Sequence, residues 1–170
     1  DTAHTVIYTL SLHDALPIYL EILNVLQKKD LLAGLKGNYR FTKAMTLNLK
    51  KIKEEVDMIK SYVKPSPELI EFENKKEKLL KDYSNNKFKE VNGVKHFDIP
   101  EESQEMYTKE VNELLEEYSE HIEEFKKQNL RQMDALKSEC TIDFNMIQEK
   151  DMPDEITVEQ MELLINFIKM

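Results

Sequence analysis

The chain has 170 residues, of which 41% are hydrophobic and 34% charged, with three Gly, five Pro and no Trp. This composition is typical of helix-rich proteins and leaves few positions for the tight turns of an all-β fold. The formal net charge of −9 argues against direct nucleic-acid binding, because Lys and Arg side chains recognise the phosphate backbone, and it favours a protein partner with a basic surface.

Two further features of the composition limit the class of protein. Cys140 is the only cysteine, which excludes an internal disulfide and a zinc site built from several thiolates, and which favours a reducing cytoplasm. No stretch approaches the roughly 18 consecutive apolar residues of a transmembrane helix, so no membrane span is predicted. We expect a single helical α+β domain from residue 19 to residue 170.

The first 18 residues differ in composition from the rest of the chain. They contain two of the four histidines and no lysine, and the stretch IYTLSLHDALPI resembles a translated sequencing-adapter read-through. We therefore interpret residues 1–18 as a non-native leader, in which His4, His13 and Asp14 have no functional role. The alternative is a genuine strand from Thr5 to Leu10, followed by a short helical turn that Pro17 interrupts.

Two helices are predicted before residue 64. From Tyr19 to Leu35 the apolar residues indicate a short helix that ends near Gly34 or Gly37. The stretch from Asn38 to Val63 predicts a longer amphipathic helix, packed antiparallel to the first and central to the fold. Its apolar positions recur at alternating steps of four and three residues: Met45, Leu49, Ile52, Val56, Ile59 and Val63.

The next helix is predicted from its capping residues. Pro65 and Pro67 end the central helix, because the residue before a proline is disfavoured in the α region. Ser66 is then a good N-cap, with Pro67 at the first helical position and Glu68 behind it. A new helix is therefore expected to begin at Pro67.

A β-hairpin is predicted over residues 87–99. Asn92-Gly93 between two valines is typical of a type I′ turn, in which both central residues take positive φ. The resulting register places Val91 opposite Val94 and Phe88 opposite Phe97. Because a lone hairpin is only marginally stable, we expect a third strand, and the candidate is Thr141 to Ile147, where apolar and polar residues alternate.

A long acidic helix is predicted after Pro100. From Glu101 to Glu124 the chain has ten glutamates and one lysine. The apolar residues keep a helical step up to Phe125 and then change phase, so the helix either continues with a rotated face or breaks near Gln128 and Asn129. Because the central helix is lysine-rich, we expect these two helices to pack antiparallel and to neutralise part of each other's charge.

The C-terminal helix has the clearest start in the chain. Thr157 is predicted to be the N-cap, with Gln160 completing a capping box. Its core-facing residues are predicted to be Met161, Leu164, Ile165 and Ile168. The expected fold class is therefore α+β and mainly helical, with long antiparallel helices, a small antiparallel sheet made of the hairpin and a strand near 141–147, and a C-terminal helix.

Several motifs carry a resemblance to a known group of proteins. They are LNLKKIKEE, KLLKDYS leading to VNGVKHFDI, EVNELLEEY, TIDF and ITVEQMELL. With them, the chain from about Asn38 to Met170 resembles short uncharacterised phage and prophage proteins of Gram-positive bacteria. The resemblance implies a phage origin and a location in the cytoplasm of the infected host. It implies no catalytic residues, since none of these motifs is catalytic.

Candidate chemistry is sparse. Glu117, His121 and Glu124 share one helical face and could hold a divalent cation with help from a second helix, but a solvated or ion-paired face is the expected reading in so acidic a helix. Cys140 has no basic neighbour in sequence, so a packed thiol is expected rather than a nucleophile. We therefore predict no enzyme activity, no cofactor and no metal site.

Two functions follow from these observations. The first is a non-catalytic protein-binding module of phage origin that inhibits a host nucleic-acid-handling or defence protein through an acidic helical surface. Its candidate partner-binding residues are Glu113, Glu116, Glu117, Glu120, Glu123 and Glu124. The alternative is a phage assembly or structural helper protein, in which helices and a hairpin edge form an oligomer.

Overall fold

The computed structural model describes residues 16–169. Within them the chain forms two compact units, where the sequence predicted one domain from residue 19 onward. Unit 1 comprises residues 16–61 and 132–169, and unit 2 comprises residues 62–131. The predicted strand Thr5–Leu10 and the leader residues His4, His13 and Asp14 lie outside the described residues.

The described chain is mainly helical with a small amount of β structure, which confirms the predicted fold class. The helices are α1 (Tyr19–Gln27), α2 (Lys29–Leu32), α3 (Tyr39–Lys60), α4 (Pro67–Tyr83), α5 (Glu101–Glu117), α6 (Ser119–Lys137) and α7 (Val158–Leu164). The strands are β1 (Phe88–Val91), β2 (Val94–Phe97), β3 (Ile147–Gln148) and β4 (Ile168–Lys169). Short 3₁₀ turns cover Glu149–Asp151 and Ile165–Phe167. None of the helices in this part of the chain is both long and apolar enough to cross a membrane.

The central helix α3 forms the core of unit 1. Its N-cap is Asn38, whose side-chain oxygen accepts a hydrogen bond from the Phe41 N–H at 3.0 Å. The predicted apolar seam is confirmed at Met45, Ile52, Val56 and Ile59, which are buried, whereas Leu49 is half-buried. Helix α3 also buries Phe41 and Asn48. The helix ends at Lys60, so Val63 lies beyond it. Helix α1 packs against α3 and buries Tyr19, Ile22 and Val25.

Two helical predictions in unit 1 are corrected. The helix predicted from Tyr19 to Leu35 is two helices, because Lys28 has the non-helical angles φ −100° and ψ 17°. The C-terminal helix starts at the predicted capping box, but its buried face differs. Leu164 is buried as predicted, together with Leu163 and Phe167, while Ile165 is exposed. The 3₁₀ turn that follows α7 accounts for Phe167, because three residues per turn bring it under Leu164.

The predicted third strand of the hairpin does not form. Among the described residues, β1 and β2 pair only with each other, and β3 pairs in parallel with β4. The segment from Thr141 to Met146 lies against α3, where the Asn48 side chain hydrogen-bonds the backbone of Asn145. The N–H and C=O of Asn145, which a neighbouring strand would have bound, are thus bound by a side-chain amide.

The last residues of the predicted leader take part in unit 1. The Cys140 N–H donates to the Pro17 carbonyl at 2.7 Å, and the Tyr19 N–H donates to the Ser138 carbonyl at 3.1 Å. The Ile18 carbonyl also accepts hydrogen bonds from the first turn of α1. The structure therefore ties Pro17 and Ile18 to the helical fold that follows.

We expect two truncated variants to differ in stability. A variant that begins at Pro17 should lose less than about 0.5 kcal/mol, because Leu16 is exposed and the preceding residues are foreign in composition. A variant that begins at Tyr19 should lose about 1–3 kcal/mol, because the buried Cys140 N–H and the first turn of α1 lose their acceptors. Urea unfolding of both variants measures the difference, and equal stability would show that the contacts of Pro17 and Ile18 contribute nothing.

Unit 2 is built on an antiparallel pair of helices, α4 and α5. Ser66 caps α4 as predicted, and its hydroxyl oxygen accepts from the Leu69 N–H at 3.1 Å. The Tyr83 hydroxyl near the end of α4 donates to Glu110 at 2.9 Å, whereas Phe72 near its start contacts Tyr118 with ring centroids 5.8 Å apart. The core cluster consists of Leu69, Phe72 and Tyr118, with Leu114, Ile122 and Phe125 packed around it.

The hairpin of unit 2 has the predicted turn and register. Asn92 and Gly93 take φ angles of 53° and 77°, as a type I′ turn requires. Val91 lies opposite Val94, Glu90 opposite Lys95, Lys89 opposite His96, and Phe88 opposite Phe97. The Phe88 and Phe97 rings are 5.6 Å apart. The hairpin prediction is therefore confirmed residue by residue.

We expect Gly93→Val to reduce the population of the hairpin about tenfold. A side chain at this position would meet nothing within 4 Å, so the cost comes from φ alone, which strains a β-branched residue by about 1–2 kcal/mol. Amide exchange of Lys89 and His96 measures the population. Gly93→Asn is the matched control, because Asn tolerates positive φ, and equal exchange in the two variants would contradict this account.

Candidate functional site

The acidic helix predicted after Pro100 packs on α4 within unit 2. The expected pairing with the central helix, which belongs to unit 1, stays a prediction. The Tyr83 and Tyr107 rings meet edge to face at 5.7 Å, and Lys75 of α4 lies 3.7 Å from Glu117 of α5. The partner of the acidic helix is thus the helix that precedes it in the chain within unit 2. Sequential helices joined by a hairpin can pack side by side without a long connection.

The acidic helix is interrupted at Tyr118, ten residues before the predicted break. Tyr118 has φ −103° and ψ 15°, so α5 ends at Glu117 and α6 begins at Ser119. The Tyr118 N–H still donates to the Leu114 carbonyl, and the Tyr118 carbonyl accepts from the Ile122 N–H. The ring is buried in the core cluster. The interruption therefore leaves helical hydrogen bonds on both sides while Tyr118 occupies the core.

All six predicted partner-binding glutamates are exposed, and together we call them the acidic surface. They lie on both sides of the interruption: Glu113, Glu116 and Glu117 on α5, and Glu120, Glu123 and Glu124 on α6. None of them contributes to the core cluster. The structure thus presents all six carboxylates to solvent from unit 2.

Most of this surface is not neutralised by lysines. Glu117 pairs with Lys75 at 3.7 Å and Glu123 pairs with Lys126 at 3.0 Å. Among residues 16–169, the other four glutamates make no salt bridge and no side-chain hydrogen bond: Glu113, Glu116, Glu120 and Glu124. These four carboxylates are therefore exposed and unpaired within the described part of the chain.

The lysines of α4 are engaged by glutamates of the same helix. Lys75 lies 3.0 Å from Glu71, Lys76 lies 2.9 Å from Glu73, and Lys81 pairs with Glu77. These pairs are spaced three or four residues apart, which brings side chains together on one helical face. Most of the positive charge of α4 is therefore neutralised by glutamates of α4 itself.

Lys75 is held most firmly. Its ammonium group donates to the Tyr118 hydroxyl at 2.6 Å, and this hydrogen bond, with that to Glu71, raises the pKa of Lys75. The same lysine lowers the pKa of the Glu71 carboxyl, mainly through the side-chain hydrogen bond. Lys75 is thus a fixed cation that joins α4 to the interruption between α5 and α6. Sequence reasoning missed this contact, since no pattern links Lys75 to Tyr118.

An acidic groove runs between α4 and α5. Its apolar residues are Leu79 and Leu114, and its charged residues are Asp82, Glu110, Glu113 and Glu117 against Lys75 and Lys78. Carboxylates outnumber lysines in this lining. The groove therefore extends the negative potential of the acidic surface toward α4.

The candidate cation-binding set does not converge in the structure. His121 points its Nδ1 atom at the Ser66 hydroxyl, 3.3 Å away, and lies 3.9 Å from Glu68 of α4. Glu117 is paired with Lys75, and the interruption at Tyr118 separates it from Glu124. In the described chain, no group of three or more His, Cys, Asp and Glu residues is placed to hold a metal ion.

The lone cysteine is buried in unit 1. Burial raises the pKa of the Cys140 thiol, and its N–H is bound to the Pro17 carbonyl. A thiol with a raised pKa is a poor nucleophile at neutral pH, because the thiolate is the reactive form. This environment suits a packed side chain.

Comparison with known proteins gives no relative for the chain: no protein-family model, no curated protein and no solved structure matches it.

Proposed function

We propose that the protein is a non-catalytic binding module of phage origin that uses the acidic surface to engage a basic surface on a protein partner. The observation that carries the proposal is the set of four exposed and unpaired glutamates, which extends across both α5 and α6. The phage origin rests on the resemblance of residues 38–170 to short phage and prophage proteins.

The charge of this region supports an electrostatic mode of binding. The segment 101–124 holds ten glutamates against one lysine, so its net charge equals that of the whole chain. Concentrated charge of one sign accelerates encounter with an oppositely charged partner and selects against acidic competitors. The pairs within α4 leave this field only partly compensated in the groove, where carboxylates outnumber lysines.

The partner class follows from the same chemistry. Exposed carboxylates on a helix can occupy positions that phosphates would take on a basic protein surface. Host proteins that handle nucleic acids, including defence proteins, carry such surfaces because they neutralise phosphates with Lys and Arg. The proposed action is therefore inhibition of such a protein by occupation of its basic surface.

Affinity capture from a Gram-positive host lysate, with mass-spectrometric readout, tests the proposal. Two variants serve as matched baits. The site variant carries lysine at four positions of the acidic surface: Glu113, Glu116, Glu120 and Glu123. The control variant carries lysine at four exposed acidic positions of unit 1: Glu139, Glu149, Asp154 and Glu155. Each set of substitutions raises the net charge by eight units.

The expected result is a host protein with a basic surface that the wild type and the control variant retain and the site variant loses. Equal capture by all three baits would refute binding through the acidic surface. Equal loss with both variants would indicate a response to net charge alone, which would also refute it.

The alternative function, an assembly or structural helper protein, is favoured by a different observation. The hairpin of unit 2 is exposed along both strands. Exposed strand edges are templates for pairing with another chain. Such a function requires self-association, and it does not require the acidic surface.

A further inference from the structure

The hairpin exposes apolar side chains on both of its strands. Phe88, Val91 and Val94 are 43%, 53% and 57% exposed, and these residues lie on both faces of the two-stranded sheet. Within residues 16–169, neither β1 nor β2 has a second strand neighbour. A two-stranded sheet without a covered face is marginal in water, so pairing with a further strand would stabilise it.

The internal ladder determines which backbone groups face outward. The Asp98 N–H donates to the Lys87 carbonyl at 3.1 Å, so residues 87 and 98 form a hydrogen-bonded pair. Hydrogen-bonded and non-hydrogen-bonded pairs alternate along an antiparallel ladder. Residues 88 and 97, and residues 90 and 95, are therefore non-hydrogen-bonded pairs whose N–H and C=O groups point away from the hairpin.

Self-pairing through the outer edge of β1 is electrostatically unfavourable. Two copies can pair antiparallel with residue 88, 89 or 90 at the two-fold axis. These registers oppose Lys87 to Lys89, Lys89 to Lys89, or Glu90 to Glu90 of the second copy. Like charges directly opposite each other destabilise a sheet, so each register carries a penalty.

The outer edge of β2 is self-complementary. With Phe97 at the two-fold axis, Phe97 lies opposite Phe97 of the second copy, and His96 lies opposite Asp98 of the second copy, twice. In the remaining pair, Lys95 lies opposite Ile99 of the second copy, whose carbonyl accepts from the Gln104 side chain at 3.3 Å and keeps a second lone pair for the Lys95 N–H. Phe88 and Phe97 already form an aromatic pair on one face, so this register brings four phenylalanines onto the same face of a four-stranded sheet.

We propose that the protein forms a symmetric dimer in which β2 of one copy pairs antiparallel with β2 of a second copy, with Phe97 at the two-fold axis. The occupant of this edge is thus a second copy of the chain. The inference is independent of the acidic surface, because it rests on strand edges and cross-strand complementarity. The interface is isologous, so it closes at two copies.

Sedimentation velocity of the full chain, from about 5 to 500 µM, tests the dimer. The key variant is Lys95→Pro, which removes an outward N–H and leaves the internal hairpin ladder intact. The matched control is Glu90→Pro, which removes the outward N–H of the facing residue in β1. Amide exchange of Lys89 and His96 reports whether the hairpin persists in each variant.

The expected result is a concentration-dependent dimer that Glu90→Pro retains and Lys95→Pro weakens at least about tenfold. A monomeric wild type over the whole range would overturn the proposal, and so would a dimer that Lys95→Pro leaves unchanged. Equal weakening by both proline variants, with the hairpin intact, would also overturn it because it would exclude a specific role for the β2 edge.

A charge exchange provides a second test that does not depend on proline. Asp98→Lys places lysine opposite His96 of the second copy and should weaken the dimer. The new lysine also faces Lys87 of its own hairpin, so amide exchange of Lys89 checks that the hairpin persists. Adding His96→Asp places a carboxylate opposite the new lysine across the two-fold axis and should recover most of the lost affinity. A double variant that dimerises no better than Asp98→Lys alone would contradict the proposed register.

Discussion

Replacing Asn48 by Leu is expected to destabilise unit 1 by about 2–4 kcal/mol, the largest stability loss that we predict for a single substitution. Asn48 is fully buried on α3. Its side-chain oxygen accepts from the Asn145 N–H at 2.8 Å, and its amide nitrogen donates to the Asn145 carbonyl at 3.0 Å. The Asn48 amide thus binds both backbone groups of Asn145, as a neighbouring strand would.

The loss arises from the backbone groups that the substitution leaves behind. Leucine is close to asparagine in size and suits a buried helical position, but it cannot bind the Asn145 N–H or C=O. Each buried polar group left without a partner costs about 1–3 kcal/mol. Natural proteins have a net stability of about 5–15 kcal/mol, so the expected loss is a large fraction of the total.

Urea unfolding, followed by NMR signals from unit 1, measures this loss. Asn145→Ala is the matched control, because it removes only the weaker side-chain bond to Asn48 at 3.3 Å and keeps both backbone bonds. A second control is Lys50→Leu at an exposed position of α3, where less than about 0.5 kcal/mol is expected. If Asn48→Leu unfolds at the same urea concentration as these controls, the segment 141–146 is held by other contacts.

The features that sequence predicted well are those set by neighbouring residues. The hairpin register followed from Asn92-Gly93, and the start of α4 from Ser66-Pro67, because turn and cap chemistry acts over two to four residues. The capping box of Thr157 and Gln160 is confirmed for the same reason. Such signals do not depend on what packs against the element.

The prediction of a third strand was wrong because an alternating pattern of apolar and polar residues does not determine whether a neighbouring strand is present. Ile142, Phe144 and Met146 suggested one buried face, yet Met146 is exposed and Ile147 is buried. Phe144 contacts Phe167, with ring centroids 4.8 Å apart, far away in sequence. No local sequence pattern predicts that a buried asparagine on α3 will hydrogen-bond the backbone of the segment 141–146.

The solvent exposure of the acidic surface could be predicted from the sequence. The charged side chains around it could not all be predicted. Ten glutamates in 24 residues cannot all be buried, so solvent exposure was expected. The packing of the acidic helix on α4 was not predicted, because no local pattern determines which helix becomes the neighbour. The pairs within α4 could have been found, since Glu71 with Lys75 and Glu77 with Lys81 are four residues apart.

The second large effect concerns binding. The site variant of the acidic surface is expected to lose at least about a hundredfold in affinity for the captured partner, because reversed charges create like-charge contacts that cost several kcal/mol. Helix content should change little, since Glu and Lys have similar helix propensities. The reversal should also leave the core cluster of Leu69, Phe72 and Tyr118 intact, because none of the four glutamates belongs to it.

The control variant distinguishes an effect of the acidic surface from an effect of the net charge of the protein. Its four lysines in unit 1 give the same change in formal charge but leave the acidic surface unaltered. Its affinity is expected to fall by less than about tenfold, because screening at physiological salt limits interactions beyond about 8 Å. Circular dichroism of both variants checks that each remains helical.

The most direct measurement is the affinity of the wild type, the site variant and the control variant for the captured partner, by isothermal titration calorimetry at about 50 and 300 mM salt. We predict that wild-type affinity falls markedly at the higher salt, that the control variant follows it, and that the site variant shows no measurable binding at either salt. Wild-type affinity that is equal at both salts, or normal binding by the site variant, would contradict the account and assign the partner to another surface.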